Sequence, residues 1–253
     1  MKKVTWSAGH GLTTPGKQTP DGQKEWTFND KVVRAGMAFL AQFEGVVQLR
    51  LDDPSGKLDI PLKERSNQAN SWRTNVHVDV HHNAQDSEWN SGSLGIETLA
   101  MQGTANYAES LKLAQLVHPK YVSAMGLKDR GIKSANLHML REIKAPAILT
   151  EGGFMDSRVD VAAMRNDELL KTQGEAIALG IAEYLDLKLK TEVKAVSEQK
   201  LSTGQQALID EAKRLKLTDG NDPLGEVNRL YLFSVIVGLA QKVEALEKQL
   251  ANK

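Results

Sequence analysis

The chain has 253 residues, 41% of them hydrophobic and 25% charged, with 32 basic and 32 acidic side chains and a formal net charge of zero. Such a composition excludes a disordered chain, and the missing basic excess speaks against a nucleic-acid partner. There is no cysteine, which excludes a disulfide scaffold, a thiolate nucleophile and any thiolate-ligated metal, so a transition-metal site has to use His and carboxylates.

Met1 to Trp6 carries two lysines but no apolar stretch of signal-peptide length, and the longest apolar run, 230–240, is far short of a membrane span. The expectation is synthesis and residence in the cytoplasm until something else releases the protein. No membrane association is predicted.

Short apolar segments alternate with helical periodicities through residue 187. Strands are predicted at 4–8, 46–51, 75–80 running into His81-His82-Asn83, 95–100 and 147–150. Between them, a Gly/Thr/Pro-rich loop fills 9–22, and helices are predicted at 25–43, 62–73, 106–117 and 168–187. This alternation predicts an α/β fold, a mostly parallel twisted sheet flanked by helices. Residues 188–204 are Lys/Glu/Ser/Thr-rich and read as a linker. Residues 205–253 read as a small all-helical module, two helices separated by the turn cluster Thr218 to Pro223. Leu232, Leu239, Val243, Leu246 and Leu250 form a stripe that suits either packing within the module or self-association into a homo-oligomer.

His10, Glu25, His81 and Glu151 stand out. Three follow predicted strands and Glu25 opens the first helix, and in open α/β sheets ligands bind beyond the carboxyl ends of the strands. Two His and one Glu can hold a catalytic zinc with one position left for water, and a carboxylate outside that set can then serve as acid/base. The same residue types are also common as loop, capping and surface groups, and six histidines offer several pairings. His77 shares the parity of His81 and reads as a buried histidine or a further ligand. His118, before Pro119, reads as a structural cation at a helix end. Trp26 and Trp89 read either as sugar-stacking rings or as core and loop anchors.

Ser7-Ala8-Gly9-His10-Gly11, Glu25, Val80-His81-His82-Asn83-Ala84 and Glu151-Gly152-Gly153-Phe154 occur in order, with Leu62…Arg65…Ala69-Asn70, Gly95-Ile96-Glu97-Thr98 and Asp129-Arg130-Gly131-Ile132-Lys133 in support. Over about residues 3–187 this pattern resembles the zinc-dependent N-acetylmuramoyl-L-alanine amidases of the amidase-3 family, phage endolysin type. The resemblance implies Zn²⁺ held by His10, Glu25 and His81, with Glu151 as catalytic acid/base. Asn83, two positions after His81 on the same strand, reads either as supporting the site or as capping a turn, and Glu97 as a further residue supporting the site or touching substrate. It implies cleavage of the amide between N-acetylmuramic acid and the stem-peptide L-alanine of bacterial peptidoglycan, after release from the host cytoplasm at lysis. Residues 1–187 would then be the catalytic domain and 205–253 a wall-binding or oligomerising module. The alternatives are a zinc peptidase cutting within the stem peptide and a non-catalytic wall-binding protein. The chain departs from the family's usual opening at Ser7, Ala8 and Leu12, and it places a second histidine, His82, beside the implied ligand.

Overall fold

The computed structural model of the protein describes residues 1–92 and 94–190. Most of the linker and the whole of the helical module expected at 205–253 lie outside the described residues.

Twelve elements follow in the order β1 (Lys2–Ala8), α1 (Glu25–Leu40), β2 (Val46–Arg50), α2 (Leu62–Trp72), β3 (Val76–Asn83), β4 (Ile96–Ala100), α3 (Tyr107–Met125), β5 (Asp129–Ser134), α4 (His138–Glu142), β6 (Ala147–Phe154), α5 (Arg158–Met164) and α6 (Asp167–Tyr184). The six strands form one sheet in the order β2-β1-β3-β6-β4-β5. Every neighbouring pair is parallel except β4 with β6. The expected α/β sheet flanked by helices is therefore present.

Period-two alternation decides what each face of the sheet carries. Val4, Trp6, Ala8, Val76, Val78, Val80 and Ile148 are buried in the main core with Val32, Val33, Val117, Ile177 and Ile181 of α1, α3 and α6. At roughly 25 cal/mol per Å² of apolar surface, this layer is the principal source of stability. Leu99 and Leu149 instead meet Ala69, Met139 and Leu140 in a second, smaller cluster under α2 and α4. His77, Asp79, His81, Glu97 and Glu151 alternate with the first set, so they share the face of this smaller cluster, where the covering helices are short.

Five elements depart from the sequence expectation, two of them the short helices α4 and α5, which lie where no helix was expected. The helix expected to stop at Val117 runs through Pro119 to Met125. Proline removes one backbone donor, and burial of His118, Tyr121 and Met125 on the same helix outweighs that loss. His118 is therefore not at a helix end. Its Nδ1 meets Thr98 Oγ1 at 2.9 Å and its Nε2 meets Asp129 Oδ1 at 2.8 Å, a structural role in the helix interior. β6 continues past Glu151 to Phe154, with the β3 register shifting between His81 and Asn83. β5 was not expected, because Asp129–Ser134 is polar and forms an edge strand with one partner.

The polar stretch beginning at Lys188 stays attached over its first residues. Lys188 O accepts from Glu44 N at 2.8 Å, and Lys190 N donates to Gln42 O at 2.8 Å.

Candidate metal centre

His10, Glu25 and His81 converge, each offering one ligand atom within 4.8 Å of the others. Each arrives by a different local device. His10 lies two residues beyond β1 with a positive φ of 65°, unusual for a residue with a Cβ. Arg65, almost wholly buried on α2, fixes that turn. Its Nη1 donates to Ser7 Oγ and Ala8 O, and its Nη2 donates to His10 O and Asp59 Oδ1. Glu25 is the first residue of α1, where a carboxylate meets the positive end of the helix dipole. His81 sits within β3, and Gly9 clears the space it needs: a Cβ on Gly9 would overlap the His81 imidazole.

Glu25 Oε2 lies 3.3 Å from His10 Nε2, and Glu25 Oε1 lies 3.0 Å from His81 Nδ1. The two imidazoles meet edge to face, centroids 4.9 Å apart. Glu25 is 2% exposed. Burial works against its charge, but His81, His10 and Asn29 prevail and hold the carboxyl at about 2. Burial, opposed by Glu25, lowers His10 to about 4, so its ring is neutral as ligation requires. Burial also works against a proton on His81, yet Asp79 and Glu25 raise its pKa well above the ordinary value. Asp79 Oδ2 lies 3.5 Å from His81 Nε2.

His82 points the other way, as strand alternation requires. It is buried, with Nδ1 2.7 Å from Asn29 Oδ1 and its ring against Phe28. Asn29 had not been singled out from the sequence. Its Nδ2 donates to Glu25 Oε1 and to Gly9 O, both at 3.1 Å, so one amide ties together Glu25, His82 and the loop bearing His10. The available signal was its position four residues after Glu25, on the same face of α1. His77 is fully buried, with Nδ1 3.1 Å from Thr5 Oγ1, and burial lowers it to about 4. It falls outside the convergent set.

Glu151 is the parallel-register neighbour of His81. Its Oε2 is buried with no hydrogen-bond partner among the described residues. Burial raises its carboxyl to about 8, with His81 pulling down and Glu25 and Glu97 pushing up. Gly152, next in the strand, allows close approach from the helical layer, since a Cβ there would run into His82 and Gln173. A cavity of about 490 Å³ opens over the cluster, and His10, His81, Glu151, Asp79, Lys17 and His138 are among the residues lining it.

Glu97 faces Glu151 across the antiparallel β4–β6 pair. Burial would raise it, but Lys133 and Arg130 outweigh burial and hold it ionised. Asn83 Nδ2 donates to its other oxygen at 3.3 Å. Trp26 is a core residue, with Nε1 donating to Asp52 Oδ2 at 3.3 Å. Trp89 packs beneath the guanidinium groups of Arg158 and Arg165, at 4.9 and 5.9 Å, as a loop anchor.

The donor set is of a kind that suits zinc. Two imidazoles and a carboxylate make a count of three, and the Oε2 of a separate carboxyl beside them has no hydrogen-bond partner among the described residues.

Comparison with known proteins agrees with this geometry. The N-acetylmuramoyl-L-alanine amidase family matches residues 4–183. The endolysin of Bacillus phage SPP1 is 32% identical over 215 residues, covering 83% of this chain and 76% of that protein. The sporulation-specific N-acetylmuramoyl-L-alanine amidase of Bacillus subtilis is 30% identical over 189 residues, covering 74% of this chain and 70% of the relative. The catalytic domain of CwlV, an N-acetylmuramoyl-L-alanine amidase from Bacillus (Paenibacillus) polymyxa var. colistinus, superposes with a TM-score of 0.67 at 31% identity, covering 74% of this chain and all of that domain.

Proposed function

The chain belongs to the N-acetylmuramoyl-L-alanine amidase family, and from that premise we propose that it is a zinc-dependent endolysin cutting the amide between N-acetylmuramic acid and the stem-peptide L-alanine of peptidoglycan. The observation that carries the reading is the placement of Glu151, whose Oε2 has no hydrogen-bond partner among the described residues, in the cavity that His10 and His81 of the His10–Glu25–His81 cluster also line.

His10, Glu25 and His81 would hold the ion. Zinc bound there would polarise the amide carbonyl and lower the pKa of an attacking water. Asn29 and Asp79 orient Glu25 and His81. Glu151 moves the proton: its carboxyl takes one from the attacking water and gives it to the nitrogen of the departing L-alanine, too basic to leave without it. Burial raises this carboxyl, a cation held beside it would lower it again, and an acid/base whose pKa lies near the operating pH can do both. Asn83 and Glu97 support the site on the β4 side.

The phage endolysin among the relatives supports synthesis inside the host and action on the wall at lysis. Among the described residues, no helix is long and apolar enough to cross a membrane. Residues 205–253 would serve wall binding or self-association.

Mass spectrometry of digested peptidoglycan tests the reading. The expected product carries a new amino terminus on alanine. A new terminus further along the stem peptide would establish a peptidase instead, and undigested wall would leave a binding protein.

A further inference from the structure

Across the site-bearing face of the sheet, side chains follow one another in a row. His10 lies beyond β1, His81 on β3, Glu151 on β6, Glu97 on β4, and Arg130 and Lys133 on the edge strand β5. The putting together of two cations at the far end of this row is deliberate in its geometry. Arg130 Nε donates to Glu97 Oε2 at 2.7 Å and Lys133 Nζ donates to the same oxygen at 2.5 Å. Two positive charges thus share one negative charge, leaving an excess of one. Arg130 is held further by Nη1 donating to Leu94 O at 3.0 Å and by its guanidinium lying 4.8 Å from the Phe154 ring centroid. Both cations remain accessible, with side chains 29% and 43% exposed, while Glu97 beneath them is 9% exposed. Lys133 makes one hydrogen bond among the described residues, and an ammonium can make three.

We infer that Arg130 and Lys133 form a subsite for the free α-carboxylate of the second stem-peptide residue, on the amine side of the scissile bond. The inference rests on the amidase reading, because it needs to know which half of the substrate lies where. The residue that protonates the leaving amine is Glu151, so the amine-bearing half lies against Glu151. The row places the ligand cluster on one side of Glu151 and the two cations on the other. A peptide running from Glu151 across β4 towards β5 would meet the two accessible cations. Glu97 acts as a positioning residue, holding both cations in place before substrate arrives, which lowers the ordering cost of binding. An ordinary exposed ion-pair cluster would show the same distances but would be indifferent to the charge of the substrate.

Two synthetic substrates separate these cases: N-acetylmuramoyl tetrapeptide carrying D-isoglutamate at the second position, and the same compound with that α-carboxylate converted to carboxamide. For the zinc-loaded full chain, kcat/KM should favour the acid by about 3- to 10-fold, the range for a partly exposed charge-assisted contact, with the difference in KM. In Lys133→Met the acid-to-amide ratio should collapse towards one, and in Lys133→Arg it should be retained. Arg130→Gln should lower the ratio too, with its melting temperature measured alongside because Arg130 also braces Leu94. Equal rates on acid and amide with the unaltered chain would overturn the subsite. So would a Lys133→Met variant that slows both substrates by one factor. No cleavage of either compound by the unaltered, zinc-loaded chain would instead strike at the amidase reading.

Discussion

Glu151 and Glu97 stand opposite one another in the antiparallel register of β6 and β4, and their carboxyls are driven in opposite directions. Burial without a partner lifts Glu151 to about 8, while Lys133 and Arg130 keep Glu97 charged. Two like groups separated in this way suit different tasks, and under the proposed mechanism Glu151 would exchange protons while Glu97 holds charge.

Glu151→Gln should accordingly retain zinc and the fold while kcat falls by about 10²–10⁴. Glu97→Gln should lose far less. Steady-state kinetics on soluble muropeptides, with zinc content measured in parallel, check this. Loss of zinc from Glu151→Gln would make Glu151 a ligand, and near-normal turnover would give its role to another carboxylate.

The same substitution should stabilise the metal-free protein at alkaline pH. A carboxyl raised from 4.5 to about 8 binds its proton more tightly in the folded state, so folding stability falls as pH rises between those values. Glutamine has no proton to lose. Thermal melting in chelator should show the variant and the parent alike below about pH 4.5 and the variant increasingly the more stable up to about pH 8. Parallel pH profiles would mean that Glu151 is not desolvated.

His81→Ala should lose zinc and His82→Ala should keep it, because the two side chains lie on opposite faces of β3. His82→Ala still empties a buried position and leaves Asn29 Oδ1 without its partner, so a loss of about 1–3 kcal/mol in stability is expected. Chelation should abolish hydrolysis by the parent and zinc should restore it. Metal retention is read by elemental analysis, and the reverse pattern would put His82 in the ligand set.

Asn29→Ala should weaken zinc binding by about 10- to 100-fold, the usual cost of removing a group that orients a ligand. Its amide is the contact that joins Glu25, Gly9 and His82. Titration against a competing chelator measures the effect, and an unchanged affinity would show that the helix alone positions Glu25.

Much of this was legible in the sequence, for reasons that differ by residue. The parallel strands are short apolar runs because helices cover both faces, so β1, β3 and β6 announce themselves. His10, Glu25, His81 and Glu151 were recognisable from ordered motifs, each adjoining a predicted element. β5 was hidden because an edge strand can be polar, and the end of α3 was misplaced because tertiary burial overrode Pro119. Arg65 was visible only as part of a motif. Its role, five donors closing the turn that presents His10, depends on carbonyls brought together from β1 and the loop before α2, and no local pattern encodes that.

The folded unit extends past Leu187. The polar composition from Lys188 onward marks a linker beginning there, yet the backbone of 188–190 pairs with 42–44, and Lys190 Nζ adds a bond to Ala41 O at 2.8 Å. A chain ending at Lys190 should therefore fold and cleave soluble muropeptides at close to the full-length rate. A chain ending at Leu187 forfeits these bonds, each worth about 0.5–1.5 kcal/mol, and should melt measurably lower while keeping the active site, which lies at the other ends of the strands. Both should bind intact walls less well than the full chain if 205–253 is a wall-binding module. Sedimentation with purified walls and thermal melting of the three lengths distinguish the effects. Equal melting of the two truncated chains would return the boundary to Leu187, and undiminished wall binding would favour self-association as the role of residues 205–253.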